Sequence, residues 1–237
     1  MISMEDKILF HGSRGGINEK IQPLSRFTCD FGKGFYMGTD IMQAKGIVSN
    51  DFDPYIYTLK FNLSEIPDNR ILDLRNNDMW IYTILANRRK VKDFNELPLA
   101  KNLLDMCNDY DVIIGTIADD SMSKVMEYFR NNLITNKTLE KCIKTVDLGT
   151  QYVAKTEFAC SKIEILDCKE ITYDMASEAK RAEEIKRLDS KQIIDKMIVE
   201  HRNEGLFLDE IIKREKSLQK NPVKSFQNDR KEKHYER

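Results

Sequence analysis

The chain has 237 residues, enough for one large domain or for one domain with an appendage. Hydrophobic residues make up 41% and aromatics 9%, which supplies a core and argues against wholesale disorder, while 32% charged residues requires a strongly solvated part. The 38 Lys and Arg nearly balance 39 Asp and Glu, giving a net charge of -1. This balance disfavours a globally basic nucleic-acid binder but allows a local basic patch.

The cysteines and the N-terminus point to an intracellular setting. The five cysteines are odd in number and form no CxxC pair, so we expect reduced thiols, no disulfide framework and no metal site. The N-terminus lacks the apolar run of a signal peptide. No segment approaches the ~18 apolar residues of a membrane span. We therefore predict a cytoplasmic protein without a membrane partner.

The first part of the chain mixes short apolar runs with amphipathic segments. The predicted strands are 7–13, 35–39, 55–63, 71–74, 111–118, 151–156 and 163–172. The predicted helices are 41–49, capped by Asp40, 78–90, 121–131, capped by Asp119 and Asp120, and 138–147. Because the strands are short and no βαβ rhythm appears, the pattern predicts an α+β fold.

The composition changes after Tyr173, where Glu, Lys and Arg dominate and strand character disappears. We predict a domain over 1–173, a charged helical extension over 174–218 and a flexible tail over 219–237. The extension is predicted to hold two helices joined at Gly205. Its weak apolar stripe over 177–192 indicates a solvated helix that lies on the surface or faces a partner.

The segment DFGKGFYMGTD, residues 30–40, combines glycines with aromatics. Gly32 and Gly34 allow either a positive φ or close approach of the backbone to a ligand. Phe35 and Tyr36 offer flat faces for stacking on a planar ring. The segment matches neither a P-loop nor GxGxxG. The simpler interpretation, which composition alone favours, is a tight turn before a strand.

Two further segments carry polar residues at strand ends. His11 closes the first strand and is followed by Gly12 and Ser13. The simpler interpretation is a core or capping histidine, and the alternative is a site where backbone N–H and C=O groups meet an amide-bearing ligand. Gln151 opens a late strand, which alone is typical of an ordinary edge strand. Glu157 shares its parity but lies ~20 Å further along an extended strand, so we expect Glu157 to cap the next turn or helix instead.

Taken together, HGS, FGKGFYMGTD and TQYVAKTE resemble the three-part signature of ADP-ribosyltransferases of the diphtheria-toxin and poly(ADP-ribose) polymerase branch, known for its His-Tyr-Glu triad. The chain is still more similar to an uncharacterised bacterial family, domain of unknown function 3990. That outline appears here as FHGS, DFGKGFYMGTDIMQA, WIYTILANR, DVIIGTIADD and QYVAKTEFA, over roughly residues 7–165. Five motifs in the right order make the resemblance specific.

The resemblance implies a split, bent β-sheet sandwich with surrounding helices and NAD, as substrate, in the cleft. Carried over, His11 would bond the adenosine-side ribose, the Gly12 backbone would hold the nicotinamide carboxamide, and Tyr36 would stack on the nicotinamide ring. Gln151 stands where the triad has glutamate. The NAD-binding residues that we predict are His11, Gly12, Ser13, Arg26, Gly34, Phe35, Tyr36 and Gln151, of which His11, Tyr36 and Gln151 form the catalytic set.

The function that the resemblance implies is mono-ADP-ribosyl transfer from NAD to a macromolecule, either a protein side chain or a nucleobase. Gln151 lacks the charge of glutamate, and losing such a contact costs ~2–4 kcal/mol of transition-state stabilisation, so chain-building polymerase activity is not expected. Related bacterial enzymes act as toxins or anti-phage effectors, which implies a neutralising protein partner, and we expect it on residues 175–218. The alternatives are a non-catalytic NAD or ADP-ribose binding module and an NAD glycohydrolase.

One position departs from the ADP-ribosyltransferase pattern, and one basic segment lies outside its three motifs. Gly46 occupies the position of a second family aromatic that would close the nicotinamide sandwich, and Phe31, Phe52 or Tyr55 could substitute. The basic run 87–90 is typical of cations at a helix C-terminus, the favoured interpretation, or contacts a phosphate or acceptor.

Overall fold

A computed structural model describes residues 5–17, 20–48, 54–75, 77–118, 120–145, 149–202 and 204–220. The strands are β1 Lys7–Arg14, β2 Phe35–Gly38, β3 Pro54–Phe61, β4 Ile71–Asp73, β5 Val112–Thr116, β6 Thr150–Ala154 and β7 Ile163–Glu170. The helices are α1 Ile41–Val48, α2 Met79–Arg88, α3 Lys92–Asn95, α4 Pro98–Asp109, α5 Asp120–Arg130, α6 Asn136–Thr145, α7 Glu157–Cys160, α8 Tyr173–Glu200 and α9 Leu208–Lys220.

The predicted α+β class is confirmed, and each predicted strand and helix has a counterpart displaced by a few residues. Asp40 caps α1 as predicted, because its Oδ1 accepts from the backbone N–H groups of Met42 at 2.8 Å and Gln43 at 3.3 Å. Of the other predicted capping pair, Asp119 lies outside the described residues and Asp120 begins α5.

Helix α4 is the main element that the sequence analysis missed. It begins with Pro98 in its first turn, a favourable position for proline, and buries Ala100, Leu103 and Cys107 on one face. Lys101, Asn102 and Asp105 are exposed on the opposite face, so the segment has a regular helical period that the sequence analysis did not identify.

The seven strands form one sheet in the order β4-β5-β6-β2-β1-β3-β7. Of the pairs in the described residues, β4 and β5 alone are parallel. β1 pairs with β3 at eight positions but with β2 only at Phe10↔Gly38. The centre of the sheet therefore opens where β1 and β2 diverge.

The two faces of the sheet are buried in different ways. One face packs against helices α2, α4, α5, α6 and α9. On the other, alternate strand residues such as Leu9, Met37, Leu59, Ile114 and Tyr152 are buried against one another. Since no helix longer than four residues contributes to that cluster among the described residues, the sheet must curve over its own face.

The two predicted C-terminal helices are confirmed, and Gly205 lies between them with a φ of +84°, which favours glycine. The middle of α8 is solvated as expected, with Ile185 and Leu188 exposed. However, its first turns bury Ala176 and Ala179 close to α1. α9 buries its own apolar residues in the main core, so the extension is packed onto the sheet-and-helix body. Of the predicted tail 219–237, residues 219 and 220 end α9 and the rest lies outside the described residues.

Candidate functional site

The opening between β1 and β2 is bridged by the ring of His11. Its Nδ1 lies 2.7 Å from the carbonyl oxygen of Tyr36, and because a carbonyl can only accept, Nδ1 carries the hydrogen. The imidazole packs against Phe35 with ring centroids 4.3 Å apart. Burial lowers the pKa of His11, so the ring is neutral at pH 7 and Nε2 is a lone-pair acceptor.

Tyr36 is fixed by the loop that precedes its strand. Its hydroxyl donates to the Gly32 carbonyl at 2.7 Å and accepts from the Phe31 N–H at 2.9 Å. Gly32 has a φ of +75°, one of the two roles predicted for these glycines. Burial raises the pKa of the Tyr36 phenol, so it remains a neutral donor. The ring is thus held in one orientation before any ligand arrives.

Gly34 is required for close packing within the protein, whereas the predicted close approach was to a ligand. A side chain there would overlap Val153 on β6, and the Gly34 N–H donates to Ser25 Oγ at 3.0 Å. The glycine-rich segment therefore both turns sharply and packs tightly on the sheet, and its approach is to β6.

Gln151 is 8% exposed, and the nitrogen of its side-chain amide donates hydrogen bonds to other groups of the protein. Nε2 donates to the Thr116 carbonyl at 3.0 Å and to Asp30 Oδ2 at 3.3 Å. The other oxygen of Asp30 accepts from Arg88 Nε at 2.7 Å. An ion pair therefore lies directly behind the side-chain amide of Gln151.

One cavity brings the three predicted catalytic residues together. It has a volume of about 180 Å³ and includes His11, Gly12, Tyr36 and Gln151 in its wall. Helix α1 lines it with Gln43, Ala44 and Ile47, and the loop after β5 adds Ile117. This volume is smaller than the ~300–1,000 Å³ that a whole drug-sized ligand occupies, so it suits one ring and part of its sugar.

Four predicted binding residues lie outside this wall. Ser13 donates from Oγ to the Gly16 carbonyl at 2.9 Å, within its own turn. Arg26 is exposed, and Gly34 faces Val153. Phe35 points to the opposite face of the sheet, where it packs on His11, so its contact with the site is indirect.

Gly46 faces α8 and not the cavity. A Cβ at Gly46 would lie 2.8 Å from the Glu183 carboxylate, which explains why an aromatic ring does not fit there. Its neighbour Ile47, 61% exposed, lines the cavity instead. Of the predicted substitutes, Phe31 is buried in the helix-side core, Tyr55 does not line this cavity, and Phe52 lies outside the described residues.

The sequence analysis missed Asp30 and did not predict that Arg88 pairs with it. Arg88 ends α2, as a helix C-terminal cation should, but its guanidinium pairs with Asp30 and also donates to Ser123 Oγ at 3.2 Å. The sequence signal that could have identified Asp30 is its position as the first residue of the glycine-rich segment. Its partners come from α2 and β6, a juxtaposition that no local pattern encodes.

Glu157 does not join the site. It is the first residue of α7, while Thr156 is the cap, accepting from the Ala159 N–H at 3.2 Å, so the expected capping role was displaced by one residue. The Glu157 carboxylate lies 3.4 Å from Lys20 Nζ at the surface.

Two other hollows are larger, so volume does not single out the site. One of about 340 Å³ lies between the end of α2 and α5 and has Arg88, Lys90, Lys124 and Arg130 in its wall. Another of about 350 Å³ lies between α5 and α8. Neither has His11, Tyr36 or Gln151 in its wall, so the smaller cavity is distinguished by its side chains and not by its volume.

The comparison with protein families matches the same part of the chain that carries the five motifs. The family model DUF3990, described as a protein of unknown function, matches residues 7–165, about two thirds of the chain. The chain belongs to the DUF3990 family. The match spans β1 to the start of β7, including every cavity-lining residue, and leaves out α8 and α9.

No curated protein and no solved structure matches the chain significantly. Within the described ranges, no helix is both long and apolar enough to cross a bilayer. In those same ranges, no group of three or more His, Cys, Asp or Glu is arranged to hold a metal ion.

Proposed function

We propose that this DUF3990 member binds NAD and transfers a single ADP-ribose to a macromolecule. The observation that carries the proposal is the convergence of His11, Tyr36 and Gln151 on one cavity. These residues come from three different strands, β1, β2 and β6, and are those that the ADP-ribosyltransferase resemblance assigns to NAD. The divergence of β1 and β2 beside His11 agrees with the split sheet that the resemblance implies.

The chemistry breaks the bond between ribose C1′ and the nicotinamide nitrogen. The bonding electrons leave with nicotinamide, the ribose gains positive charge, and an acceptor nucleophile then attacks C1′ and loses its proton. In this proposal the Tyr36 ring stacks on nicotinamide, and Gln151 accepts a hydrogen bond from a hydroxyl of the adjacent ribose. His11 Nε2 accepts from the second ribose. Each contact orients NAD in a site that partly excludes water.

Gln151 limits the rate and the product. An amide oxygen stabilises a cationic ribose less than a carboxylate does, so we expect slow turnover and transfer of one unit without chain growth. An NAD-consuming enzyme acts where NAD is plentiful, and we therefore propose a cytoplasmic setting. A toxin or defence role with a neutralising partner on residues 175–218 stays a prediction of the resemblance.

The direct test incubates the chain with NAD labelled in the adenylate part, with and without cell extract. We expect label on a macromolecule and release of one nicotinamide for each label transferred. Gln151→Ala should abolish most of this activity, while Gln22→Ala, a half-buried glutamine outside the cavity wall, should retain it.

Three other outcomes would contradict transfer. Free ADP-ribose formed without any macromolecule would identify a glycohydrolase. NAD binding in calorimetry without nicotinamide release would identify a binding module. Neither binding nor release, under conditions where a known ADP-ribosyltransferase works, would remove NAD from the proposal altogether.

A further inference from the structure

We propose that Asp30 is a positioning residue that holds the side-chain amide of Gln151 with Oε1 towards the cavity. In this orientation Oε1 accepts the hydrogen bond that a glutamate carboxylate would accept at the same position. The oxygen's role towards ribose rests on the proposed function. The orientation itself rests only on the contacts of Asp30, Arg88, Thr116 and Gln151.

The orientation follows from what surrounds the amide. Nε2 lies 3.0 Å from the Thr116 carbonyl oxygen and 3.3 Å from Asp30 Oδ2, and both of these neighbours can only accept. Rotating the amide by 180° would set its oxygen against two other oxygens, one of them a carboxylate. Both N–H bonds of Gln151 are therefore used on the protein side, and no described residue donates to Oε1.

Asp30 can hold this position because Arg88 fixes it. The side chains are 14% and 21% exposed, and Arg88 Nε lies 2.7 Å from Asp30 Oδ1. Arg88 is itself held by Ser123 Oγ at 3.2 Å and the Ala118 carbonyl at 3.5 Å. A hydrogen bond to a carboxylate is stronger than a neutral one and draws electron density towards the far end of the donor amide. Asp30 thus orients Gln151 and also makes Oε1 a better acceptor.

The same contact explains why this chain carries glutamine. A glutamate at position 151 would place a second carboxylate beside Asp30 Oδ2, at the 3.3 Å now spanned by a hydrogen bond. Two carboxylates so close cannot both ionise at ordinary cost, and one would have its pKa raised. The negative charge therefore lies on Asp30, one residue behind the cavity wall, and Gln151 connects this carboxylate to the site.

The decisive experiment exchanges the acid and the amide. In Asp30→Asn, the new amide must face Arg88 with its oxygen, which turns its N–H bonds onto the N–H bonds of Gln151. We expect kcat for nicotinamide release to fall about 10-fold to 100-fold, with KM for NAD changing less than about 3-fold. The double variant Asp30→Asn/Gln151→Glu restores donor-to-acceptor pairing between the two side chains in reverse, although a glutamate oxygen then replaces the N–H that faced the Thr116 carbonyl, so its kcat should rise above that of Asp30→Asn.

The single variant Gln151→Glu should change the pH dependence of kcat, which a purely structural role of Asp30 would leave unchanged. Its paired carboxylates should give kcat an acid limb, rising with pH as the second one ionises, and the double variant should lack that limb in the same range. The matched control is Asp73→Asn, which breaks the exposed Asp73–Arg75 pair outside the cavity wall and should leave kcat unchanged. Thermal unfolding of every variant separates loss of fold from loss of orientation.

The amide itself can be observed without any turnover. In ¹⁵N-labelled protein, the side-chain NH₂ signal that Gln151→Glu removes should exchange with solvent at least about 10-fold more slowly than the NH₂ of Gln22. Asp30→Asn should remove that protection. If the wild type releases no nicotinamide, the proposed function fails, yet this signal still decides the orientation.

Three results would overturn the proposal. The first is an Asp30→Asn enzyme within 2-fold of wild type. The second is a folded double variant no faster than Asp30→Asn. The third is a Gln151 NH₂ signal that exchanges as fast as that of Gln22.

Discussion

The side chains of His11, Tyr36 and Gln151 are each fixed by a main-chain acceptor before a ligand enters. His11 is held by the Tyr36 carbonyl, Tyr36 by the Gly32 carbonyl, and Gln151 by the Thr116 carbonyl. In each case the hydrogen bond used for anchoring does not involve a second atom or face of the side chain, which the proposed function assigns to the ligand: His11 Nε2, the Tyr36 ring and Gln151 Oε1. Such anchoring reduces the entropy that binding must remove, as preorganised sites require.

The buried imidazole makes stability depend on pH. Because burial lowers the pKa of His11 below 6.5, the unfolded chain takes up the proton first as pH falls. The free energy of unfolding should therefore decrease as pH falls from about 7 through the His11 pKa of the folded state, by at most about 1.4 kcal/mol per pH unit. Urea unfolding at pH 7.5, 6.5 and 5.5 measures this.

His11→Gln should flatten this dependence between pH 7.5 and 5.5, because carboxylates titrate mostly below that window. His201→Gln should leave the His11 contribution in place. An equal slope in wild type and His11→Gln would show that His11 does not carry the effect.

The Tyr36 hydroxyl matters for ring placement and not only for stability. Tyr36→Phe loses the bonds to Gly32 and Phe31 and should lower the free energy of unfolding by about 1–3 kcal/mol and kcat for nicotinamide release about 10-fold. Tyr57→Phe loses a comparable bond from the Ile17 N–H at 2.8 Å, outside the cavity wall, so it should cost stability but leave kcat within 2-fold. Equal loss of kcat in both variants would contradict a specific role for the Tyr36 ring.

At the scale of elements, α1 forms one wall of the cavity and is clamped on two sides. Towards β1, Gly12 packs against the main chain of Ala44 so closely that any side chain would overlap its carbonyl oxygen. Towards α8, Asp40 Oδ2 pairs with Lys186 Nζ at 3.1 Å. Although partial burial opposes it, the bonds from Lys186 and from the first turn of α1 hold the pKa of Asp40 below its usual range.

A pair of glycine variants tests this clamp. Gly12→Ala must push backbone away and should lower the free energy of unfolding by about 1–3 kcal/mol and abolish NAD binding in calorimetry. Gly46→Ala requires only that the Glu183 carboxylate swing aside, and alanine favours a helix interior by about 1 kcal/mol, so stability should change little. If both variants bind NAD like wild type, α1 does not form part of the binding wall.

At the scale of the whole molecule, the segment that the family matches is not the whole folded unit. Leu208, Ile211 and Ile212 of α9 and Ile194 of α8 are buried in the helix-side core. Thr138 of α6 donates to the His201 carbonyl at 2.9 Å. The C-terminal helices therefore complete the core and support the sheet that carries the site.

Removing α8 and α9 should therefore destabilise the folded protein severely. A chain ending at Thr172 lacks Ile194, Leu208, Ile211 and Ile212 and exposes the core residues that these four side chains cover. Burial of such an aliphatic side chain is worth about 1.5–3 kcal/mol, so the four together approach the whole stability of a typical domain. We expect that chain to lack a cooperative thermal transition and to bind a hydrophobic dye. A chain ending at Lys220 should unfold at the wild-type temperature. A cooperative transition in the shorter chain would show that α8 and α9 are dispensable for folding.

The sequence by itself determined the elements that have local causes. Alternating apolar residues set the strands, Asp40 set the start of α1, and Gly205 set the break between α8 and α9. The motif order also pointed to His11, Tyr36 and Gln151, because a family resemblance supplies partners that spacing cannot. Helix α4 also has a local cause, an apolar stripe of helical period, but the sequence analysis did not identify it.

Only the tertiary structure decided which residues act together. Ser13 and Phe35 adjoin site residues in the chain, yet strand alternation and a turn direct them elsewhere. Conversely, Asp30, Arg88 and Gln151 are far apart in the chain and meet within hydrogen-bond distance. Their contact depends on how α2 packs on the strand order β5-β6-β2, and such non-local packing leaves no signature in any single stretch of sequence.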